Sequence, residues 1–342
     1  MRTTISRAAQ GRRPAGPSQR SQRGVALVAV LLMVAIAVVV MTSMANKQNL
    51  AAHKTLNHLE QSQAFQYALG GEELARQILH DDFEDENKTD HMTELWAVPI
   101  APYEFEQGEV EIQITDLQSL FNLNSLAVTG TRGNANRLRF EALLAELAID
   151  SFITDLVADW MDDNQSTRQL GAEDYDYLDQ NPPYRTGTGM MADVSELRLL
   201  LEMDEEDYRN LLSYVVVLPD GSVPININTA PAIMLQSIAT DLTLDSAEIL
   251  VEQRDAQEGY QSVDEFLQQQ GVTGAGGIDK TGLSVRSQYF RVASRARYND
   301  RVSKLTSIIQ RDPFDGQMRV LSRDLGQRFV SYAVEDSEQQ EP

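Results

Sequence analysis

From Val25 to Met41 the chain carries no charged or polar side chain, and Thr42, Ser43, Met44 and Ala45 extend the run to 21 residues. At 1.5 Å per residue such a helix spans roughly 31 Å, the thickness of a bilayer's hydrocarbon core. Beyond it, apolar residues recur near helical spacing at Leu50, Leu56, Leu59, Phe65, Leu69, Leu74 and Ile78, with no proline between them. That pattern predicts a helix continuing out of the membrane to about residue 80. Such a helix is roughly 84 Å long, with Gly70-Gly71 as the expected bend. The acidic stretch 81–90 reads as a solvated loop.

The period then changes. Residues 103–106 and 109–115 alternate apolar and polar positions around Gln107-Gly108, as in a half-buried hairpin. Residues 117–126, LQSLFNLNSL, form a tight connection, equally readable as an amphipathic loop. Helical texture follows at 137–148, 151–160, 195–201 and 204–216. In Ile225-Asn-Ile-Asn-Thr-Ala-Pro231, Asn228 or Thr229 is the expected cap of a further helix, with Pro231 near its first turn and a partner helix over 245–254. After Gly276-Gly277 the alternation returns over 288–298, a turn at Asn299-Asp300, 301–311 and 317–322. The economical fold is α+β: a long N-terminal helix packed on an antiparallel sheet, with a large all-helical domain inserted into the sheet. The predicted segments are a leader 1–24, a transmembrane segment 25–45, stem helix and first strands 46–126, inserted helical domain 127–282, closing strands 283–330 and an acidic tail 331–342.

Charge sharpens this picture. Residues 1–24 hold six arginines and no acid, so the basic end is expected in the cytoplasm and the bulk of the chain on the far side of the membrane. Three readings compete: a signal peptide cut at Ser43-Met44-Ala45, an uncleaved anchor, or a leader cut between Gly24 and Val25. The apolar run exceeds an ordinary signal-peptide core and favours the last two. Without those arginines 23 basic residues face 51 acidic ones, a net charge of −28. That disfavours nucleic acid as a partner. Residues 225–254 are worded like a helix-hairpin-helix (SAM-like) repeat, yet the hairpin 238–244 has no glycine and carries an acid, where phosphate binding needs backbone amides and cations. The chain has no cysteine, so thiolate chemistry and disulfides are excluded.

Catalysis finds little support. The four histidines, His53, His58, His80 and His91, all fall on the stem or its exit and read as surface residues. No nucleophile elbow, HExxH or phosphate loop is present. The densest polar constellation is acidic: Asp159, Asp162, Asp163, Glu173, Asp174, Asp176 and Asp179 lie within 21 residues, with Arg168 as the only base. Calcium takes six to eight hard oxygens, which such a loop can supply, although the spacing is not that of an EF-hand. By itself the cluster reads equally well as a solvated acidic loop.

Arg23-Gly24 followed by Val25-Ala-Leu-Val28 and a long apolar helix resembles the signal of type IV pilins and type II secretion pseudopilins. The resemblance implies a pilin-like stem on its sheet, removal of the leader by a prepilin peptidase between Gly24 and Val25, and methylation of the new amino terminus. That family carries Glu at the fifth mature residue, where it neutralises the amino terminus of the subunit above. Here the fifth residue is Ala29, the peculiarity of the K-type minor pseudopilin, which the inserted helical region also resembles. The implied function is a non-enzymatic subunit that caps the pseudopilus tip, controls its assembly and serves export of folded proteins across the outer membrane. Its implied partners are the I-type and J-type minor pseudopilins, with the secretin and exported proteins as further candidates. The alternative is a membrane-anchored periplasmic binding protein or enzyme unrelated to pili.

K-type pseudopilins also share an order of motifs found here as Asp159-Trp160, Gly171-Ala-Glu-Asp174 and Pro182-Pro-Tyr184. Relatives bind calcium in the helical lobe, so the resemblance implies a structural Ca²⁺. The preferred ligands are Asp162, Asp163, Asn164, Glu173 and Asp174, which flank the loop, with Asp159, Asp176 and Asp179 ranked behind them.

Overall fold

The computed structural model describes residues 20–84, 89–239, 242–269, 272 and 280–326, with side chains from residue 25 onward. Helix α1 (Arg20–Glu84) runs without interruption, and the chain divides into two units, Met1–Glu60 and Gln61–Pro342. In the first unit the described residues are all helix, and their apolar side chains face outward, Met33 and Met41 each being 70% exposed. A helix apolar all round needs a nonaqueous surrounding. This one is long and apolar enough to cross a membrane.

In the second unit the end of α1 packs on a sheet. Ala64, Ala68, Ala75 and Leu79 form its fully buried stripe. Their spacing of four and seven keeps them on one helical face. Helix α1 continues through Gly70-Gly71, and the second glycine serves packing: a Cβ on Gly71 would lie 2.3 Å from Ser294 Oγ and 2.8 Å from Val110 Cγ1. Beside it, buried Glu72 accepts from Arg323 Nε at 2.8 Å and Nη2 at 2.7 Å, and from the Ser307 hydroxyl. The acidic stretch is also not a plain solvated loop, since α1 continues to Glu84 and Asp90 is buried.

Next come β1 (Tyr103–Phe105) and β2 (Gly108–Asp116), joined by a two-residue turn. The lobe follows with β3 (Phe121–Asn122), α2 (Gly130–Glu146), α3 (Ile153–Met161), α4 (Asp174–Leu178), α5 (Glu205–Leu212), β4 (Val215–Val216), β5 (Ile225–Asn226), α6 (Ala232–Ile238), α7 (Leu244–Ala256), α8 (Val263–Leu267) and β6 (Leu283–Ser284). The chain then returns as β7 (Tyr289–Tyr298), β8 (Arg301–Arg311) and β9 (Met318–Asp324). The order β1-β2-β7-β8-β9 is antiparallel throughout, so β2 pairs directly with β7 across the insertion, Ile114 opposite Val292. The fold is therefore the expected α+β arrangement of stem helix, antiparallel sheet and inserted helical region.

The insertion has its own core, in which Phe121, Phe140, Leu143, Trp160, Tyr177, Leu211, Met234 and Tyr260 pack together. Phe121 and Leu123 belong to it, so the lobe's packing begins before residue 127. Two short parallel pairs, β3 with β4 and β5 with β6, add strand character that two-residue segments cannot announce in sequence. Asn228 and Thr229 do not cap α6, whose N-cap is Pro231. Buried Asn228 instead donates to the Tyr260 carbonyl at 2.9 Å, and Thr229 donates to the Asp116 carboxylate at 2.5 Å. Gly276-Gly277, the acidic tail and the leader lie outside the described side chains.

Candidate functional site

The acidic loop folds back on the end of α3. Asp159 sits in the last turn, fully buried, and Asp162 is the C-cap. Glu173, buried at the N-cap of α4, returns to meet them. One carboxylate oxygen from each of Asp159, Asp162 and Glu173 lies within 4.8 Å of the others. Gly171 permits the approach, since a Cβ there would stand 1.8 Å from Asp159 Oδ2. The wall behind is aromatic: Trp160 meets Tyr177 edge-on at 5.4 Å and donates through Nε1 to Glu196 at 3.0 Å.

One cation serves this cluster. Arg168 Nη1 bonds the Asp159 carboxylate and reaches Asp162 Oδ2 at 2.6 Å, and the Arg168 backbone N–H donates to Asp159 Oδ2 at 3.0 Å. Both carboxylate oxygens of Glu173 are buried without a hydrogen-bond partner. Burial, then repulsion from Asp159 and Asp162, pushes the Glu173 carboxyl up to about 7. A buried carboxylate without a donor is costly. Hard oxygens alone, converging with one of them uncompensated, fit a hard divalent cation such as calcium.

The structure thus brings together two of the five preferred residues, Asp162 and Glu173, and adds Asp159. The other candidates have different surroundings. Asp163 is exposed. Exposed Asn164 donates to Asp162 Oδ1 at 2.6 Å. Asp174 accepts from the Thr186 N–H and hydroxyl, each at 3.0 Å, and pairs with Arg185. Asp176 accepts from the Glu173 N–H at 3.1 Å as part of the α4 cap, and Asp179 is exposed at its other end. Asp159 was legible in principle, because positions i and i+3 near a helix end share a face. In the anchor, Val25 and Ala29 are exposed positions of α1.

A second acidic cluster joins stem, sheet and lobe. Arg311 at the end of β8 donates to Asp82 Oδ2 at 2.9 Å, to the Leu79 carbonyl at 3.3 Å and to the Ser287 carbonyl at 2.9 Å, and it pairs with buried Asp90. Asp90 also accepts from the Ser287 N–H at 2.7 Å. Next to it, the Asp116 carboxylate accepts from Ser287 Oγ at 2.5 Å and Asn226 Nδ2 at 3.3 Å. Glu94 accepts from Trp96 Nε1 at 2.6 Å and lies 3.2 Å from His91 Nε2, so His91 is a buried partner in this network and not a surface residue.

Glu94 and Asp82 face each other. Burial, then the neighbouring Asp82 charge, raises the Glu94 carboxyl to about 8, while burial, then Asp90, raises Asp82 to about 6. The unfolded chain releases the Glu94 proton near 4.5, whereas the folded chain keeps it until about 8. Its contribution to stability is therefore complete below 4.5 and is lost as pH rises to 8. Glu94→Gln, which needs no proton to stay neutral, is expected to flatten that slope and gain about 1 kcal/mol at pH 8 after solvent screening. Urea titrations of the full-length chain in detergent at pH 5 and pH 8 measure it. An unchanged pH slope in the variant would contradict the assignment.

Two family models, both described as type II secretion system (T2SS), protein K, match residues 119–220 and 225–286. The type II secretion system protein K of Pseudomonas aeruginosa is 38% identical over 323 residues, covering 90% of this chain and 94% of that one. Its counterpart from Klebsiella pneumoniae is 34% identical, covering 82% of this chain and 91% of that one. Among solved structures, a chain of the GspK-GspI-GspJ complex from the enterotoxigenic Escherichia coli type 2 secretion system aligns with TM-score 0.69 and 29% identity, over 80% of this chain and 100% of that one. The family models fall on the inserted lobe, the relatives cover most of the chain, and the chain belongs to the type II secretion system protein K family.

Proposed function

We propose that this pseudopilin is the non-enzymatic tip subunit of its pseudopilus, anchored in the inner membrane with its lobe in the periplasm. It caps the filament, controls its assembly and supports export of folded proteins across the outer membrane. The observation that carries tip placement is Ala29, an uncharged residue where a filament subunit needs a carboxylate to neutralise the amino terminus of the next one. The relative solved in complex with GspI and GspJ supports I-type and J-type minor pseudopilins as the subunits beneath. A calcium ion held by Asp159, Asp162 and Glu173 would supply positive charge to the one buried carboxylate that Arg168 does not reach.

The route into the membrane has its own test. The leader is removed by a prepilin peptidase between Gly24 and Val25, and the new amino terminus is methylated. Replacing Gly24 by a bulky residue is expected to leave a precursor longer by 24 residues, the length of the segment ahead of Val25. Intact-mass measurement reads it. A Gly24 variant that matures normally, or a mature chain beginning at Asn46, would contradict this reading.

A further inference from the structure

In the acidic site Arg168 stands between the two carboxylates it serves. Its Nη1 bonds an oxygen of Asp159 and lies 2.6 Å from Asp162 Oδ2. Glu173, the third member of the same cluster, receives no donor from it. Calcium holds its oxygen ligands at about 2.3 to 2.6 Å, so an ion shared by Asp159 and Asp162 needs the place that this nitrogen holds. The two exclude each other by volume, and their like charges repel.

The side chain can leave while its loop stays. Arg168 lies in the irregular stretch between α3 and α4, and its side chain is 37% exposed, whereas that of Asp159 is fully buried. The loop has anchors of its own, because the Arg168 N–H donates to Asp159 Oδ2 at 3.0 Å and the Leu170 N–H to Asp155 Oδ2 at 3.2 Å. Both are backbone donors, indifferent to where the guanidinium goes. Two other arginines of this part of the lobe are engaged elsewhere, Arg137 with Glu141 and Asp155, and Arg185 with Asp174.

We propose that Arg168 is a built-in counter-ion that calcium displaces: it bridges Asp159 and Asp162 until the ion arrives, then swings into solvent. This inference rests on the calcium reading of the site and adds its regulation. One guanidinium answers two of the three carboxylates and leaves buried Glu173 without a donor. A divalent ion answers all three, which drives the exchange. Binding must first break two charge-assisted hydrogen bonds, so Arg168 weakens the site and sets the calcium concentration at which it fills. The same bonds hold the loop against α3 beforehand.

The test uses the full-length chain in detergent, with calcium alone as the probe. Arg168→Met keeps the aliphatic stem and the backbone anchor. By titration calorimetry the variant is expected to bind calcium about tenfold more tightly than the wild type, the equivalent of one charge-assisted hydrogen bond that no longer has to be broken. In chelator it is expected to melt below the wild type. In the wild type itself, calcium is expected to raise the phenylglyoxal modification of Arg168 severalfold, read on the peptide by mass spectrometry. An arginine that merely braces the loop would be protected or unaffected. Calcium binding to the wild type with equal affinity in the folded variant, or without increased modification of Arg168, would overturn this inference alone. Absence of binding in both chains would overturn the calcium reading with it.

Discussion

Removing calcium from the full-length chain in detergent is expected to lower its melting temperature by roughly 6 to 12 °C, the equivalent of ~3 kcal/mol at calcium a hundredfold above its dissociation constant. The reason is local. Asp159, Asp162 and Glu173 converge around a single guanidinium, and the two Glu173 oxygens are buried with no donor. An ion that binds only the folded lobe stabilises it by mass action. Glu173→Gln separates this account from a general salt effect, because it removes both a ligand charge and the repulsion. In chelator the variant is expected to melt at or above the wild-type temperature, and with calcium to show less than half of the wild-type gain. Asp163→Ala, an exposed position, should behave as wild type throughout. Equal melting of the wild type with calcium and with chelator would return the cluster to an Arg168-neutralised acidic loop.

What could be read from the sequence was whatever a local period encodes. The 17 apolar residues from Val25 to Met41 announced the anchor, and the alternation over 289–311 gave a hairpin whose turn, Asn299-Asp300, stands where expected. What escaped depended on partners far along the chain. Asp82 and Asp90 looked like solvent-facing acids because Arg311, which neutralises them, is 229 and 221 residues away. The packing role of Gly71 was out of view because its neighbour Ser294 belongs to a strand beyond the inserted lobe. His91 was misread for the same reason, since its burial follows from the junction and not from its place after the stem.

The acidic site was half legible. The loop 162–173 and its composition were in view, but the choice among carboxylates depended on which way each element turned. Asp174, one residue beyond Glu173, faces Thr186 and Arg185 because α4 begins between them. Gly171 was the available signal, since only a residue without a Cβ lets the chain pass against Asp159.

Tip placement has the larger functional consequence. A subunit inside a pseudopilus presents its own amino terminus to the carboxylate of the subunit below and offers a carboxylate to the subunit above. Under the proposed tip placement, a chain with Ala29 does only the first. Adding a subunit above it would bury an uncompensated ammonium in lipid, ~3 kcal/mol on insertion scales, more than a hundredfold against growth. On the same proposal the lobe between β2 and β7 would oppose growth as well, because a repeated array would have to fit it at every subunit. An Ala29→Glu chain that still terminates filaments would assign the stop to the lobe alone.

The most direct measurement is the position and number of this subunit on isolated pseudopili, using the full-length chain with a gold-labelled tag at its C-terminus. The account predicts one label per filament, at one end. Labels repeated along the shaft would contradict it.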